Sequence, residues 1–316
     1  MSSRKLVKGK EAYQNFQNIF RSAYHPTKVQ DQLRKLTASG LPQPIQTASV
    51  AMLGHPEYVA LQPGETRISS AVVTFVDIRG FTKISFVLDP NDLLRIVQAL
   101  TEASIKVITD GGGYIGEFTG DGVMAYFGDT SMSDAEATTA ALETTSLLFK
   151  TVDEIVNPEL KEEGIDPIRI AAGMEYGNVL WSRIGTGAAS QVKPISTATF
   201  LAGKLCSSHH TRAWECKVGG ELAKWVPTEY LSKVVQYGPY TVNGKEISRE
   251  LYLLDWRAIA TQVLLDESQI EKRITERARA ILASSSALSG TKFVPVTNPG
   301  TSSPRPLKDQ PFFGEE

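Results

Sequence analysis

The stretch that decides the fold is Ser70-Ala71-Val72-Val73-Thr74-Phe75-Val76-Asp77, a run of apolar and β-branched residues that ends on a carboxylate. A short, nearly continuous run of this kind predicts a strand that is buried on both faces of a sheet. Beyond it, Asp89-Pro90-Asn91-Asp92 has the small polar caps and the early proline of a helix start. Apolar residues then recur every three or four positions from Leu93 to Ile108. We therefore predict a strand followed by an amphipathic helix.

The following segment predicts a β-hairpin. Tyr114–Phe118 and Val123–Phe127 are strand-like, and Thr119-Gly120-Asp121-Gly122 joins them with an Asp-Gly pair that favours a tight turn. Residues 134–156 predict a second amphipathic helix, and Ile168–Met174 predicts another strand. The order strand, helix, strand, strand, helix, strand indicates an α+β fold of the ferredoxin-like βαββαβ type. Later elements are predicted at Val179–Ile184, near residues 197–207 (a helix), at Ala213–Val218 and at Leu251–Trp256.

The regions on either side of this pattern have a different character. Residues 1–66 predict an N-terminal arm, helix-compatible from Glu11 to Leu36 except at a break at His25-Pro26, that packs on the domain or on a partner. Residues 67–256 form the predicted central domain. Residues 257–283 predict a charged C-terminal helix, and residues 284–316, rich in Ser, Gly, Pro and Thr, predict a disordered tail.

The composition excludes several classes of protein. The chain has 316 residues, 41% of them hydrophobic, which is ample for a buried core. With 33 basic and 35 acidic residues, it is not a strongly basic nucleic-acid binder. Cys206 and Cys216 are too few for a disulfide scaffold or a four-thiolate zinc site. No apolar window approaches the roughly 20 residues of a membrane helix, so we expect a soluble, cytoplasmic protein that binds neither membranes nor nucleic acid.

Two carboxylates stand where chemistry is expected. Asp77 ends the first strand and Asp121 lies in the hairpin turn, so the βαββ order brings them to one edge of the sheet. Each alone is more often a turn former or an Asx cap. Together they are hard oxygen ligands for Mg²⁺ or Mn²⁺, and two such ions can flank a phosphorus during in-line displacement. Backbone amides of residues 78–82 could hold triphosphate oxygens beside them.

Phe75-Val76-Asp77-Ile78-Arg79-Gly80-Phe81-Thr82 and the stretch from Phe118 to Gly128 closely resemble the class III nucleotidyl cyclases, over about residues 67–256. The resemblance implies a ferredoxin-like catalytic domain that works as a head-to-tail homodimer with two active sites at the interface. The implied reaction closes a nucleoside triphosphate to a 3′,5′-cyclic monophosphate and releases pyrophosphate. The resemblance also implies two Mn²⁺ or Mg²⁺ ions per site and a set of substrate contacts. The ions are held by Asp77, Asp121 and the Ile78 carbonyl, and the contacts include Ile78, Arg79, Gly80, Phe81 and Thr82.

The chain departs from the family on a helix that serves the opposite protomer. There the family places an Asn that orients the ribose and, four residues on, an Arg that stabilises charge at the α-phosphate. The corresponding positions here are Phe200, which cannot hydrogen-bond the ribose, and Lys204, which keeps the charge but lacks the bidentate fork. Losing one pre-organised donor typically costs roughly 100–1000-fold in rate. The sequence therefore predicts a weak cyclase, or one whose ribose is held by other groups.

The base-reading positions differ as well. The family's first position is Lys for adenine and Glu for guanine, and here it is Glu117; the second falls near Lys193. A Glu facing a Lys matches neither purine pattern. The alternative is that the two side chains form an exposed cross-strand ion pair worth under about 1 kcal/mol.

These departures resemble the Pycsar-type pyrimidine cyclases of bacterial antiphage defence. That resemblance implies UTP or CTP as substrate, and a cyclic product that activates a separate effector protein in antiviral signalling. UTP is favoured, because a carbonyl-rich ring edge suits a Lys donor at position 193. Two alternatives stay open: an adenylate or guanylate cyclase, and a degenerate cyclase domain that binds nucleotide as a regulator. Phe200 favours the degenerate domain, whereas Asp77 and Asp121 argue against it.

Overall fold

The computed structural model describes residues 9–25, 54–186, 189–207 and 211–264. Its helices are α1 (Gly9–Tyr24), α2 (Phe81–Ser85), α3 (Pro90–Asp110), α4 (Asp134–Thr151), α5 (Asn157–Glu162), α6 (Thr197–Ser207), α7 (Gly220–Ala223) and α8 (Trp256–Val263). Its strands are β1 (Thr66–Ile78), β2 (Tyr114–Thr119), β3 (Gly122–Phe127), β4 (Ile170–Thr186), β5 (Ala189–Ile195), β6 (Cys216–Gly219), β7 (Leu231–Val242) and β8 (Lys245–Leu254). A π-helical turn, Val152–Val156, joins α4 to α5.

The eight strands form one sheet in the order β2-β3-β1-β4-β6-β8-β7, with β5 paired to β4. Strand β1 runs antiparallel to both β3 and β4, which cover its two edges. The unit β1-α3-β2-β3-α4-β4 therefore has the strand order of the ferredoxin-like fold, and the predicted α+β class is confirmed. Strands β6, β8 and β7 extend the sheet beyond β4.

The local signals act as expected at the helix starts. At α3, the Asp89 carboxylate accepts a hydrogen bond of 2.8 Å from the Asn91 N–H, and Pro90 occupies the first turn. At α4, Ser133 and Glu136 form a reciprocal capping box. These caps fix where both helices begin.

Several predicted boundaries are wrong. Val179–Ile184 is not a separate strand, because Gly177 stays paired with Ala71 and β4 runs through it unbroken. The second helix leaves α-geometry at Thr151 and continues through the π-helical turn. The predicted Ala213–Val218 strand begins later, at Cys216, and ends one residue further on, at Gly219. The predicted Leu251–Trp256 strand begins earlier, at Lys245, and ends at Leu254.

Helix α1 of the N-terminal arm is part of the core. Phe16, Phe20 and Tyr24 are fully buried and share one apolar cluster with α3, α4 and the sheet. The helix ends just before Pro26, and there Glu159 binds Arg21 at 2.5 Å and His25 at 2.9 Å. The arm therefore packs on the domain through α1. The rest of the helix-compatible stretch, residues 26–36, lies outside the described residues.

The opposite face of the sheet carries a second apolar cluster, covered by α6 and by residues 54–61. In this segment His55 and Tyr58 stack, and both contact the buried ring of Trp181. The Arg183 guanidinium donates to the carbonyls of Val59, at 2.5 Å, and Leu61. The centre of the sheet is thus covered on both faces.

The chain end is described only as far as Leu264. Of the predicted helix over residues 257–283, the first residues lie in α8, and the remainder falls outside the described residues together with the tail 284–316. Within the described part of the chain, no helix combines the length and apolarity that crossing a bilayer requires.

Candidate active site

Two carboxylates lie together at one end of the sheet. Asp77 is the penultimate residue of β1, and Asp121 lies in the two-residue turn between β2 and β3. Because Val76 pairs with Val123, the turn sits beside the end of β1. The two carboxyl groups are close enough for each to affect the pKa of the other, and the Ile78 N–H acts to lower the pKa of both. The structure thus brings together the residues that the sequence predicted to converge.

Glycine makes this close approach possible. The turn residues are Gly120 and Asp121, closed by the Thr119–Gly122 pair, and Gly120 takes the left-handed conformation with φ of 78°. A Cβ atom at Gly122 would lie 2.7 Å from both Asp77 Oδ1 and the Val76 carbonyl oxygen. Only a residue without a side chain therefore lets the turn lie against Asp77.

The electrostatics of the pair suit a cation. Burial, followed by the charge of Asp121, raises the pKa of Asp77 to about 6. Burial also raises the pKa of Asp121. Asp121 Oδ2 is buried and has no hydrogen-bond partner among the described residues. An orphaned carboxylate oxygen beside a second carboxylate is unfavourable without positive charge, so this donor set fits a divalent ion.

A small cavity of about 30 Å³ adjoins the pair. Thr101 and Ser104 of α3 line it together with both carboxylates. In the described part of the chain, no group of three or more His, Cys, Asp or Glu side chains could hold a metal. Mg²⁺ is commonly bound by one or two carboxylates that leave positions for water and substrate phosphates. Neither Thr101 nor Ser104 was among the predicted site residues, although a serine within the apolar stripe of α3 was a signal for a place near the site.

The residues after β1 form a tight turn into α2. Gly80 is left-handed, with φ of 76°, and its carbonyl accepts the N–H groups of Lys83 and Ile84. The first N–H groups of a helix have no acceptor within the helix, so those of Phe81 and Thr82 are suited to an anion beside the carboxylates. Their contact with substrate phosphate, like the metal contact of the Ile78 carbonyl, stays a prediction.

Arg79 has different neighbours from those the sequence suggested. Its guanidinium donates to the carbonyl oxygens of Cys206, at 3.2 Å, and Thr211, at 2.9 Å. Both acceptors lie at or just beyond the end of α6. The structure therefore turns this side chain toward a helix end, and its phosphate contact remains untested.

Glu117 and Lys193 form an ion pair in which each side chain is about one-third exposed. Glu117 belongs to β2 and Lys193 to β5. These strands are not neighbours in the sheet, because β3, β1 and β4 separate them in the pairing order. The two side chains do form an ion pair, but not across neighbouring strands as the alternative expected. The fold of the whole sheet, and not the pairing of adjacent strands, brings them together.

Phe200 and Lys204 lie one turn apart on the exposed face of α6. Phe200 is 67% exposed, and Lys204 is exposed as well. The inner face of α6 sits on the sheet, where a Cβ at Gly173 would lie 2.1 Å from the Ala202 carbonyl oxygen. Both predicted catalytic-helix residues therefore face outward from their own chain.

Known proteins share both the fold and part of the sequence. No family model matches the sequence. A cytidylate cyclase from Escherichia coli is 28% identical over 157 residues, which is 48% of this chain and 35% of that protein. A uridylate cyclase from Rhodovulum sp. (strain MB263) is 27% identical over 156 residues, or 45% of this chain and 62% of that protein. This chain thus aligns with about a third of the cytidylate cyclase's length.

Among solved structures, the adenylyl cyclase CyaB from P. aeruginosa superposes with a TM-score of 0.53 at 25% identity, covering 60% of this chain and 95% of that one. The guanylyl cyclase Cya2 superposes with a TM-score of 0.51 at 20% identity, covering 61% and 94%. The fold is that of the class III nucleotidyl cyclase catalytic domain. Within that class, the sequence is similar to cyclases named for pyrimidine as well as purine products.

Proposed function

We propose that this chain is a nucleotidyl cyclase that converts a pyrimidine nucleoside triphosphate, UTP or CTP, to its 3′,5′-cyclic monophosphate and pyrophosphate. The observation that carries the proposal is the buried Asp77–Asp121 pair, whose orphaned oxygen calls for a cation at the end of β1. Its position in a class III cyclase fold supports cyclisation as the reaction.

Asp77, Asp121 and the Ile78 carbonyl are the groups that would hold two Mn²⁺ or Mg²⁺ ions. When bound, such ions lower the pKa of the ribose 3′-hydroxyl and neutralise the triphosphate. The Ile78 N–H favours the charged form of both carboxylates, which is the form that binds a cation. The amides of Gly80, Phe81 and Thr82 would bind phosphate oxygens at the start of α2. The chain's part in the reaction is thus placement and charge neutralisation.

In the reaction, the 3′-hydroxyl loses its proton to solvent, and the 3′-oxygen bonds to the α-phosphorus as the bond from the α-phosphorus to the α,β-bridging oxygen breaks and pyrophosphate leaves. Lys204 would stabilise the charge that develops at the α-phosphate, and Phe200 would pack on the ribose without hydrogen-bonding it. Both side chains face outward on α6, so they would serve the carboxylates of a second copy of the chain. A head-to-tail homodimer with two interfacial sites follows.

The Glu117–Lys193 pair supports a choice of base. It offers an acceptor beside a donor, and it is partly exposed, so a base edge could insert between the two groups. Uracil presents N3–H to the carboxylate and O4 to the ammonium, whereas cytosine presents its N4 amino group and N3. UTP stays favoured, because its two ring carbonyls suit the Lys193 donor. The relatives named cytidylate and uridylate cyclase support a pyrimidine.

The test is product identity. Purified protein is incubated with Mn²⁺ and each of the four triphosphates, and the products are identified by mass spectrometry. We expect cyclic UMP or cyclic CMP, lost in Asp77→Ala and Asp121→Ala. Preferential cyclic AMP or GMP would instead establish the purine alternative. Nucleotide binding without turnover would establish the degenerate regulatory domain, which the outward Phe200 favours.

The product would act in the cytoplasm as a second messenger that switches on a separate effector in antiviral defence. This part rests on the resemblance to the Pycsar-type cyclases. Bacteria expressing the intact chain with its genomic neighbours should resist phage, and the Asp77→Ala strain should not. Equal phage sensitivity of both strains would contradict the defence role while leaving the cyclase reaction standing.

A further inference from the structure

Arg79 is a charged group at the site that the proposed reaction does not use. It follows Asp77 by two residues, and its N–H donates to the Arg169 carbonyl at 2.7 Å, which continues the β1–β4 pairing past Ile78. Its backbone is therefore fixed to the sheet. Its guanidinium is close enough to Asp77 to lower the pKa of that carboxyl, yet it donates to carbonyls of Cys206 and Thr211.

The acceptors of Arg79 are the groups that a helix end leaves unsatisfied. Cys206 is the penultimate residue of α6, and the last four carbonyls of an α-helix have no intrahelical donor. A positive charge there also interacts favourably with the helix dipole. Thr211, which is buried, donates its hydroxyl to the neighbouring Leu205 carbonyl at 2.6 Å. Arg79 and Thr211 together therefore tie down the end of α6.

The rest of α6 is already seated on the sheet. Gly173 of β4 lies directly under the helix backbone, since a Cβ there would come within 2.1 Å of the Ala202 carbonyl oxygen. The Phe75 ring lies against Gly203, where a Cβ would be 3.5 Å away. These contacts set how closely the helix packs on the sheet. Arg79, in contrast, joins the C-terminal end of the helix to the turn that follows Asp77. Lys204 lies only two residues before Cys206.

We propose that Arg79 is a positioning residue that acts through α6, not a phosphate contact. The inference rests on the proposed function, in which the outer face of α6 serves the site of the second chain. In that dimer, Arg79 supports the site that contains Asp77 of the other chain, and not the site that contains Asp77 of its own chain. Each protomer's metal-site turn is thereby joined to the helix that completes its partner's site.

Mixed dimers test this assignment, because they separate the two sites. Two differently tagged full-length chains are co-expressed, and heterodimers are isolated by sequential affinity steps. Asp77→Ala with Lys204→Glu is the reference pair: one site has both defects and the other has none, so roughly half of wild-type turnover should return. Arg79→Ala alone should lower kcat by about 100-fold, as expected for a displaced catalytic group.

If Arg79 acts through its own α6, Arg79→Ala and Asp77→Ala damage the same site when they sit on opposite chains. The other site stays intact, so that heterodimer should recover activity. Arg79→Ala paired with Lys204→Glu damages both sites and should stay inactive. The reverse pattern would show that Arg79 works beside its own Asp77, as a phosphate contact does, and would overturn the proposal. Recovery with neither partner or with both partners would overturn it as well.

Two controls keep the result interpretable. Arg79→Lys keeps the charge but cannot reach both carbonyls in the same way, so it should restore part of kcat with an unchanged KM. Circular dichroism melting of every homodimer establishes that each variant folds. Should the reference pair fail to recover turnover, the shared-site dimer of the proposed function fails; should only the Arg79 pairing differ, the assignment of Arg79 alone fails.

Discussion

The charged form of Asp121 is disfavoured in the folded protein, because burial raises its pKa and the Asp77 carboxylate lies beside it. Asp121→Asn removes one charge while keeping the side-chain shape. Turnover should fall at least about 100-fold, because a metal ligand is weakened. At pH 8 without divalent ions, the free energy of unfolding in urea should rise by about 1 kcal/mol, because the repulsion is gone.

Asp129 provides the matched control for that change. Hydrogen bonds from Ser131 and Tyr114 outweigh partial burial and lower the pKa of Asp129, so its charged form is favoured in the folded protein. Asp129→Asn should therefore destabilise the protein at pH 8. A loss of stability in Asp121→Asn equal to that in Asp129→Asn would contradict a strained carboxylate pair.

Lys193 can be tested as a base-reading residue against its role as a surface ion pair. Lys193→Met removes the donor and should lower kcat/KM for the preferred triphosphate by about 10–100-fold. The free energy of unfolding should change by less than about 1 kcal/mol, because the Glu117 pair is partly exposed. Lys224→Met, which breaks an exposed pair with Glu221, is the control and should change neither quantity. If kcat/KM is unchanged in Lys193→Met, Lys193 does not read the base, and its role is limited to the ion pair with Glu117.

Some contacts of single residues could be predicted from the sequence, and others could not. The Asp77–Asp121 pair was predictable, because the hairpin is a local signal and the βαββ order places its turn beside the end of the first strand. The partners of Arg79 were not, because Cys206 and Thr211 are 127 and 132 residues away along the chain. The residues next to Arg79 in the sequence do not distinguish a guanidinium that binds phosphate from one that caps a helix far along the chain.

Helices and strands with an uninterrupted apolar pattern were predicted from the sequence. Strands that contain a proline, or a glycine followed by a proline, were missed. Strand β7 contains Gly238-Pro239, which indicates a turn, yet pairing resumes after a register shift between Tyr237 and Tyr240. Strand β5 contains Pro194 and, among the residues that the structure describes, pairs only with β4, an edge position where a missing N–H is tolerated. Both strands depend on neighbours that the local pattern does not reveal.

Helix α1 gives a prediction at the same scale. Phe20 is fully buried between α1 and the core, so Phe20→Ala should lower the free energy of unfolding by about 3–5 kcal/mol. Asn18→Ala, on the exposed face of the same helix, should change it by less than about 0.5 kcal/mol. Urea unfolding of both variants checks this. A loss below 1 kcal/mol in Phe20→Ala would mean that α1 is a detachable arm.

The stability of the whole molecule should carry a pH signature from Glu175. Burial raises the pKa of Glu175 to about 7, although the N–H groups of Leu222 and Tyr176 donate to it. Because this pKa is above the unfolded value, the folded state binds more protons between about pH 4.5 and 7, and stability falls across that range. Above it, the charged carboxylate costs about 3 kcal/mol.

Glu175→Gln removes this dependence. The variant should be more stable than the wild type at pH 8 and similar to it near pH 4.5, measured by urea unfolding at both values. Glu136→Gln is the comparison, because hydrogen bonds from Ser133 lower the pKa of Glu136 and give it the opposite sign. A constant difference between Glu175→Gln and the wild type at all pH values would contradict a raised pKa.

The seat of α1 also has a consequence for how the protein is made. Its partners come late in synthesis: the Tyr24 hydroxyl donates to Glu163, 139 residues further along the chain. At the usual rates of translation, about 5–20 residues per second, the aromatic stripe of α1 leaves the ribosome roughly 7–28 s before that partner exists. During this interval Phe16, Phe20 and Tyr24 are only partly covered on the nascent chain, since α3 emerges before α4 and α5. Chaperones that bind exposed aromatic residues are expected to hold the chain until α5 emerges.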